Sequence, residues 1–305
     1  MIKIDIFTNL ITPFDIDDMI DYQALDNHIE KLVNQGNNKF IIGSRTGEAA
    51  SLTFLEQKHL LRYVCYHYPG LEIYMQLSES CTKKVIKQIG DLKDISEFAG
   101  YMIELPEIFS LTQNGLIRHL DLIATATNKS IVIQQHKQNM IAVNHLLELK
   151  EKHENITGLI TEVNSTGYQI IRNNGLGLYG IEEMLVQNEI NNYDGLISNL
   201  TNLSYKKYRE LITQHNDLYF DFFKLIVKYF YQDNIVSTLK YSLSQSSNIL
   251  YKLRLPLVKI SDESKEQNNG EILIYFSIIF ESRNKKRYFK FIYLMRRMLY
   301  TIKNG

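Results

Sequence analysis

The sequence has few cysteines, and its start is not that of a secreted protein. Cys65 and Cys81 are the only two cysteines in 305 residues, so a disulfide framework is not expected. The first residues, MIKIDIFTNLITPF, have no long apolar core behind a basic segment, which argues against a signal peptide. We therefore expect a cytoplasmic protein.

The sequence also has no excess of either charge and no long apolar run. Lysine plus arginine equals aspartate plus glutamate at 34 each, so the whole chain has no net charge that would recruit nucleic acid. A membrane-spanning helix needs roughly 20 apolar residues, and the run from Ile272 to Phe280 is much shorter. These absences favour a soluble protein with a small-molecule partner, and no nucleic acid or spanning segment is expected.

What the sequence does contain is an alternation of short apolar segments with longer segments of helical periodicity, as far as about Leu203. The predicted strands are Phe7–Ile11, Lys39–Ile42, Glu72–Leu77, Gly100–Leu105, Ser130–Gln134, Thr157–Glu162, Gly177–Tyr179 and Gly195–Ser198. Eight strands separated by helices favour a closed parallel barrel over an open sheet. The predicted fold class is α/β, a (β/α)8 TIM barrel over residues 1–215, with its chemistry at the C-terminal ends of the strands.

Two further segments follow the predicted barrel. Residues 216–267 show helical periodicity that continues through Val236 to Leu253, which predicts a small C-terminal helical appendage. Residues 268–305 form a basic aromatic tail, in which Arg283 to Lys303 contains eight basic residues and no acidic one. Such a tail is typical of a membrane or partner anchor or, alternatively, of a surface helix without a separate role.

Four short signatures occur in order along the chain. They are Ile11-Thr12-Pro13-Phe14, the run Gly43-Ser44-Arg45-Thr46-Gly47-Glu48-Ala49, then Leu105-Pro106 with Gln113-Asn114-Gly115-Leu116, and finally Arg254-Leu255-Pro256-Leu257. Together with the strand and helix pattern, they resemble the dihydrodipicolinate synthase and N-acetylneuraminate lyase family. The resemblance extends from about Phe7 to Gln267 and leaves the basic tail outside it.

The resemblance implies a lyase of the aldolase type. Members of that family bind a 2-oxo acid, usually pyruvate, as a Schiff base on a lysine at the end of the sixth strand. A neutral buried amine can attack a carbonyl, and the protonated imine withdraws electrons from the adjacent carbon. The resemblance also implies a homo-oligomer, a dimer or tetramer. No cofactor is predicted.

The sequence departs from that pattern at the positions on which the chemistry depends. Where the resemblance places the sixth-strand lysine, this chain has Ile160 or Thr161, depending on the alignment register. Ile133 stands where the family has a proton-relaying tyrosine on strand five, and an isoleucine cannot act as an acid or base. We therefore expect a divergent member that binds a small 2-oxo acid without lysine Schiff-base catalysis, a possible pseudoenzyme.

The expected substrate-binding residues are those of the second signature: Ser44, Arg45, Thr46 and Gly47. Hydroxyl and amide donors at this turn suit a carboxylate. Arg45 stands where the family has a small hydroxyl residue, so it either strengthens anion binding, fills the pocket, or turns outward to pair with a neighbour such as Glu48.

An alternative keeps the enzyme active as a carbon–carbon lyase or synthase. In that alternative Lys137, next to His136 after strand five, replaces the missing lysine, or other rim residues perform the chemistry. Further polar residues are predicted at this rim: Gln76, Glu104, Gln134, Gln135 and Glu162. The chain lacks the H-x-H and H-x-x-x-H spacings that would support a metal centre, so none is predicted.

Overall fold

Eight parallel strands close into a barrel in sequence order, each paired with its neighbours and β8 paired with β1. The computed structural model describes residues 4–108, 110–161, 165–187, 192–213, 217–232 and 234–262. The strands are β1 (Asp5–Asn9), β2 (Lys39–Ile42), β3 (Glu72–Leu77), β4 (Gly100–Glu104), β5 (Ser130–Gln134), β6 (Ile156–Ile160), β7 (Gly177–Ile181) and β8 (Gly195–Ser198). The predicted (β/α)8 barrel is confirmed.

Helices alternate with these strands and continue after β8. They are α1 (Tyr22–Asn34), α2 (Phe54–His67), α3 (Thr82–Asp91), α4 (Gln113–Thr125), α5 (Val143–Lys152), α6 (Ser165–Asn173), α7 (Glu182–Gln187), α8 (Tyr205–Thr213), α9 (Asp217–Phe230) and α10 (Ile235–Ser246). Local sequence fixes several of their starts. At α2, the Thr53 side chain accepts from the Glu56 amide while the Glu56 carboxylate accepts from the Thr53 amide, a reciprocal capping box.

The barrel interior is a cluster of apolar side chains to which every strand contributes. Its members are Phe7, Ile41, Tyr74, Met102, Val132, Ile160, Tyr179, Ile181 and Ile197. Because side chains alternate between the two faces of a strand, the residue two positions after an inward residue also points inward. That rule directs Asn9, Gly43, Gln76, Glu104 and Gln134 to the C-terminal mouth of the barrel, so polar groups replace apolar ones there.

The chain forms two compact units. One comprises the described residues up to Thr12 together with Asn37–Asn199 and contains all eight strands. The other comprises Pro13–Gly36 and the described residues from Leu200 on, and contains α1, α8, α9 and α10. The predicted boundaries at residues 215 and 267 remain predictions, and the basic tail at 268–305 lies outside the described residues. In the described part of the chain, no helix is long and apolar enough to cross a membrane.

Five predicted element bounds were wrong. β4 ends at Glu104 and not at Leu105, β6 spans Ile156–Ile160 and not Thr157–Glu162, and β7 extends beyond Tyr179 to Ile181. The other two errors have a common cause. β1 was predicted as Phe7–Ile11 but spans Asp5–Asn9, because Leu10 and Ile11 extend the apolar run beyond the residues that pair with β8. The helical pattern predicted to continue to Leu253 ends with α10 at Ser246, where Ser247 takes up an extended conformation. Both errors arise because burial continues where backbone pairing has stopped.

Candidate functional site

Four charged or ionisable side chains meet at the C-terminal ends of β2, β4 and β5. Arg45 Nη2 lies 2.6 Å from Glu104 Oε1 and 2.6 Å from Glu107 Oε2. The two ring nitrogens of His136 contact the same two carboxylates, with Nε2 2.9 Å from Glu104 Oε1 and Nδ1 2.9 Å from Glu107 Oε1. We call Arg45, Glu104, Glu107 and His136 the mouth quartet.

Glu104 is the buried anchor of the mouth quartet. Burial alone would raise its pKa, but hydrogen bonds from His136 and Ser78 and the positive charge of Arg45 outweigh burial and lower the pKa to about 2. Gln76, the inward residue at the end of β3, donates from Nε2 to the second carboxylate oxygen at 3.0 Å. Glu104 is therefore a permanently ionised group whose two oxygens are both bonded.

Arg45 pairs with Glu104 and Glu107, and not with Glu48, which was one predicted partner. Glu48 is buried and has a left-handed backbone conformation at the start of a short 3-10 turn, Ala49–Ser51. Both ion pairs of Arg45 use Nη2, and within the described residues its Nε and Nη1 donate to no protein group. Its side chain is 62% exposed, so these donors face the open mouth of the barrel.

The rest of the predicted binding turn is bonded within the protein. The Gly47 amide donates to Ser44 Oγ at 3.2 Å, and Thr12 Oγ1 donates to the Gly47 carbonyl at 2.7 Å. Thr46 Oγ1 donates to Asn199 Oδ1 at 2.7 Å. The structure thus places Ser44, Thr46 and Gly47 beside Arg45, with their polar groups already engaged.

Sequence reasoning missed Asn9 and Asn199 at this end of the barrel. Asn9 Nδ2 donates to Asn199 Oδ1 at 2.7 Å, on the same oxygen that Thr46 uses. The backbone N–H of Asn199 donates to Oε1 of the fully buried Glu182 at 2.8 Å. The available signal was strand periodicity, because Asn9 and Asn199 each follow an inward apolar residue of β1 or β8 by two positions.

A cavity of about 300 Å³ opens beside the mouth quartet. Its lining includes Arg45 as the only cationic side chain among the described residues and three carboxylates, those of Glu79, Glu104 and Glu107. Neutral hydrogen-bonding groups complete the polar part of the wall, among them Gln57, Gln76, Ser78, Ser80 and Gln88. The cavity is large enough for a small organic molecule.

The position expected for the family's lysine lies at the end of β6 or just after it, and the position expected for the tyrosine lies on β5. Ile160 belongs to the apolar cluster inside the barrel, so its side chain faces inward. Thr161 is buried and accepts a hydrogen bond from Gln135 Nε2 at 2.8 Å. Ile133 lies between the inward positions of Val132 and Gln134, so strand alternation turns it toward the surrounding helices.

Two lysines are relevant to the missing amine, one in the strands and one in the loop after β5. The eight strands contain one lysine, Lys39, at the opposite end of the barrel, where it pairs with Glu72 and lies 3.4 Å from Asp5. Lys137 is exposed on the loop after β5, next to His136. Glu162, another predicted rim residue, lies outside the described residues.

Glu104, Glu107 and His136 also offer the donor set of a divalent cation. One ligand atom from each residue lies within 4.8 Å of the others, and carboxylate and imidazole groups bind several divalent metals. Arg45 Nη2 contacts both carboxylates, so its guanidinium supplies the positive charge that a metal would otherwise bring. The guanidinium therefore already neutralises the two carboxylates that a cation would need at this position.

The model of the dihydrodipicolinate synthetase family matches residues 3–273. This chain belongs to the dihydrodipicolinate synthetase family. Its match to the 4-hydroxy-tetrahydrodipicolinate synthase of Leuconostoc mesenteroides is 30% identical and covers 54% of this chain and 58% of that protein. The enzyme of the same name from Azobacteroides pseudotrichonymphae is 26% identical over 87% of this chain and 95% of its own length.

Solved structures place this family member on the same fold. The chloride-inhibited dihydrodipicolinate synthase of Acinetobacter baumannii, solved in complex with pyruvate, superposes with a TM-score of 0.77 at 20% identity, covering 87% of this chain and 96% of that one. At such identity the likeness shows the fold alone. The chain spans 58%, 45% and 43% of the lengths of three curated relatives that it matches, so the activity of the family is a proposal for this chain.

Proposed function

We propose that this family member binds a small 2-oxo acid at the C-terminal mouth of its barrel, without forming an imine on a lysine. The proposal is supported by the contacts of Arg45. Its guanidinium pairs with protein groups through Nη2 alone, and its Nε and Nη1 donate to no described residue. Arginine is well suited to a carboxylate because its planar fork donates several charge-assisted hydrogen bonds.

The cavity supports the same ligand class. Arg45 is the only cation in its described lining, so a ligand carboxylate has one place to go, while serines and glutamines are near for the oxo group. The Acinetobacter relative was solved in complex with pyruvate. We extend that ligand class to this chain as the simplest oxo acid of suitable size.

The proposed absence of an imine rests on the residues around the sixth strand. Imine formation needs an amine, and the inward residue at the end of β6 is Ile160, in the apolar cluster. The one lysine of the strands, Lys39, lies at the other end of the barrel in ion pairs with two carboxylates. A barrel that binds an oxo acid in this way serves as a ligand-binding or regulatory protein.

Calorimetric titration of the purified protein with pyruvate and a few larger oxo acids tests the proposal. We expect Arg45→Ala to weaken binding by about 10- to 100-fold, the loss typical of a hydrogen bond to a charged group. Arg62→Ala is the matched control, since Arg62 lies on α2 and pairs with Asp94. If wild-type protein binds none of these acids, or if both variants bind alike, the proposal is wrong.

A second candidate function is an active carbon–carbon lyase that uses Lys137. It is favoured by one observation: the neighbouring His136 lies in the mouth quartet, which puts Lys137 at the same rim. Borohydride reduction in the presence of pyruvate distinguishes the two. The lyase predicts a reduced adduct on Lys137 that Lys137→Ala abolishes, whereas the binding proposal predicts no adduct on any lysine.

A further inference from the structure

We infer that Arg45 and His136 form the subsite for the ligand's carboxylate, and that Glu107 occupies this subsite as an internal substitute until a ligand displaces it. The inference rests on the proposed function, which requires only that Arg45 bind the acid. It adds the second ligand-binding residue, His136, and a residue of the chain itself that competes with the ligand.

The contacts of Glu107 are those of a bound carboxylate. One oxygen accepts from Arg45 Nη2 at 2.6 Å, and the other lies 2.9 Å from His136 Nδ1. A carboxylate bridging a guanidinium and an imidazole in this way uses both oxygens in charge-assisted contacts. A 2-oxo acid has the same group and can make the same two contacts.

Glu104 and Glu107 differ in how easily they can be replaced. The Glu104 side chain is 3% exposed and is bonded also by Gln76, so removing it would leave buried donors without a partner. The Glu107 side chain is 44% exposed, and its partner Arg45 is more exposed still. Exposed ion pairs contribute little to stability, so Glu107 can leave while Glu104 holds Arg45 and His136 in place.

The position of Glu107 in the chain allows this exchange. Glu107 follows Leu105 and Pro106 in the loop after β4, outside the strand pairing that ends at Glu104. Its neighbour Ile108 is exposed, so no buried apolar contact at that residue fixes the loop. The side chain can therefore turn to solvent without breaking the barrel.

The ligand class follows from the exchange. A molecule gains the subsite only if it brings a negative charge of its own, since Arg45 and His136 otherwise keep Glu107. We expect pyruvate to bind and its uncharged methyl ester to fail. A wild-type protein should also bind the acid less tightly than the same subsite would without its internal competitor.

Calorimetry with pyruvate on wild type, Glu107→Gln and Glu79→Gln tests the inference at one pH and ionic strength. Glu79 is a matched control, a partly exposed carboxylate of the same cavity that pairs with Lys84 and not with Arg45. We expect Glu107→Gln to bind about fivefold tighter, which corresponds to the upper end of an exposed ion pair. Glu79→Gln should change the affinity less than about twofold.

The outcomes separate the inference from the proposed function. If wild type binds and Glu107→Gln binds equally or more weakly, the inference is overturned while oxo-acid binding stands. If neither protein binds, both fail. Binding by Glu107→Gln alone would refute oxo-acid binding by the wild-type protein and the displacement of Glu107 by a ligand, because it would mean that Glu107 keeps the wild-type subsite closed. Equal gains in Glu107→Gln and Glu79→Gln would reduce the effect to general cavity charge and overturn the specific role of Glu107.

Discussion

His28, a fully buried histidine of α1, makes the stability of the protein depend on pH. Burial is the main cause that lowers its pKa to about 4; the hydrogen bond with Asn202 opposes this shift and the charge of Lys31 adds to it. Nε2 lies 3.0 Å from Asn202 Oδ1, and Nδ1 has no hydrogen-bond partner among the described residues. A second proton on the ring would thus create a buried donor without an acceptor.

The sign of the effect follows from which state takes up the proton first. The unfolded chain protonates this histidine near pH 6.5, while the folded chain does so only near pH 4. The stability that the neutral His28 contributes is fully present above pH 6.5. As the pH falls to 4, this contribution is lost and the free energy of unfolding decreases by roughly 3 kcal/mol. In urea unfolding at a series of pH values, His28→Gln should lack this loss and the exposed control His59→Gln should retain it. Parallel pH profiles for all three proteins would contradict the prediction.

Single residues also show what could and could not be predicted at the site. Glu104 and Gln76 could be placed at the C-terminal rim of the barrel because the ends of strands can be predicted from periodicity. The partner of Arg45 could not be predicted, since Glu48 is three residues away and Glu107 is 62 residues away. Only the strand order β2-β3-β4 brings the loops after β2 and β4 close together. The sequence pattern predicts which side chains reach the mouth. It does not predict which of them pair, because pairing depends on distances in the folded protein.

At the scale of single strands and helices, replacing a glycine with alanine should change the free energy of unfolding in opposite directions at two positions. A Cβ on Gly100, at the start of β4, would lie 2.3 Å from the Ser130 carbonyl oxygen on the neighbouring strand. That oxygen cannot move without breaking the β4–β5 pairing, so Gly100→Ala should lose about 3 kcal/mol or more of unfolding free energy.

A Cβ on Gly90, in α3, would meet no described atom within 4 Å beyond the backbone of its own helix. Gly90→Ala should gain about 0.5–1 kcal/mol, since alanine is the better helix former. Urea unfolding that gave both variants the same sign would refute this account.

The elements differ in how well their bounds could be predicted. β2, β3, β5 and β8 have the bounds that their apolar runs predict, because a turn residue or a polar residue stops each run. β1 was misplaced because Leu10 and Ile11 remain buried after the strand has ended. Burial and strand pairing usually end at the same residue. Where a loop packs onto the barrel, the apolar pattern predicts which residues are buried but not where the strand ends.

For the whole molecule, counting strands was sufficient to predict closure. Eight parallel strands with helical crossovers satisfy the backbone of every strand only when β8 pairs with β1, which is what the structure shows. The division into two compact units could not be predicted in this way. α1 and α8 to α10 belong to one unit although α1 lies near the start of the chain, and such long-range association leaves no local signal in the sequence.

We expect the protein to be a homo-oligomer, because the unit that contains α8 to α10 exposes several large apolar side chains. Ile16 and Leu255 are each 80% exposed, and Met19 and Val258 are mostly exposed. Their two segments are held together at Asp18, whose carbonyl accepts from Arg254 Nε at 3.0 Å. Large apolar side chains exposed on neighbouring segments are typical of an interface.

Sedimentation velocity tests the expectation with a charge placed in the patch. Burying an aspartate without a partner is costly, so Ile16→Asp combined with Leu255→Asp should shift the protein from dimer or tetramer toward the 35.7 kDa monomer. Leu55→Asp is the control, because Leu55 is also exposed but lies on α2 in the other unit. A monomeric wild type would contradict the expectation. An oligomer that the double variant leaves intact would place the interface on another surface, and equal dissociation by the Leu55 variant would show that any added charge suffices.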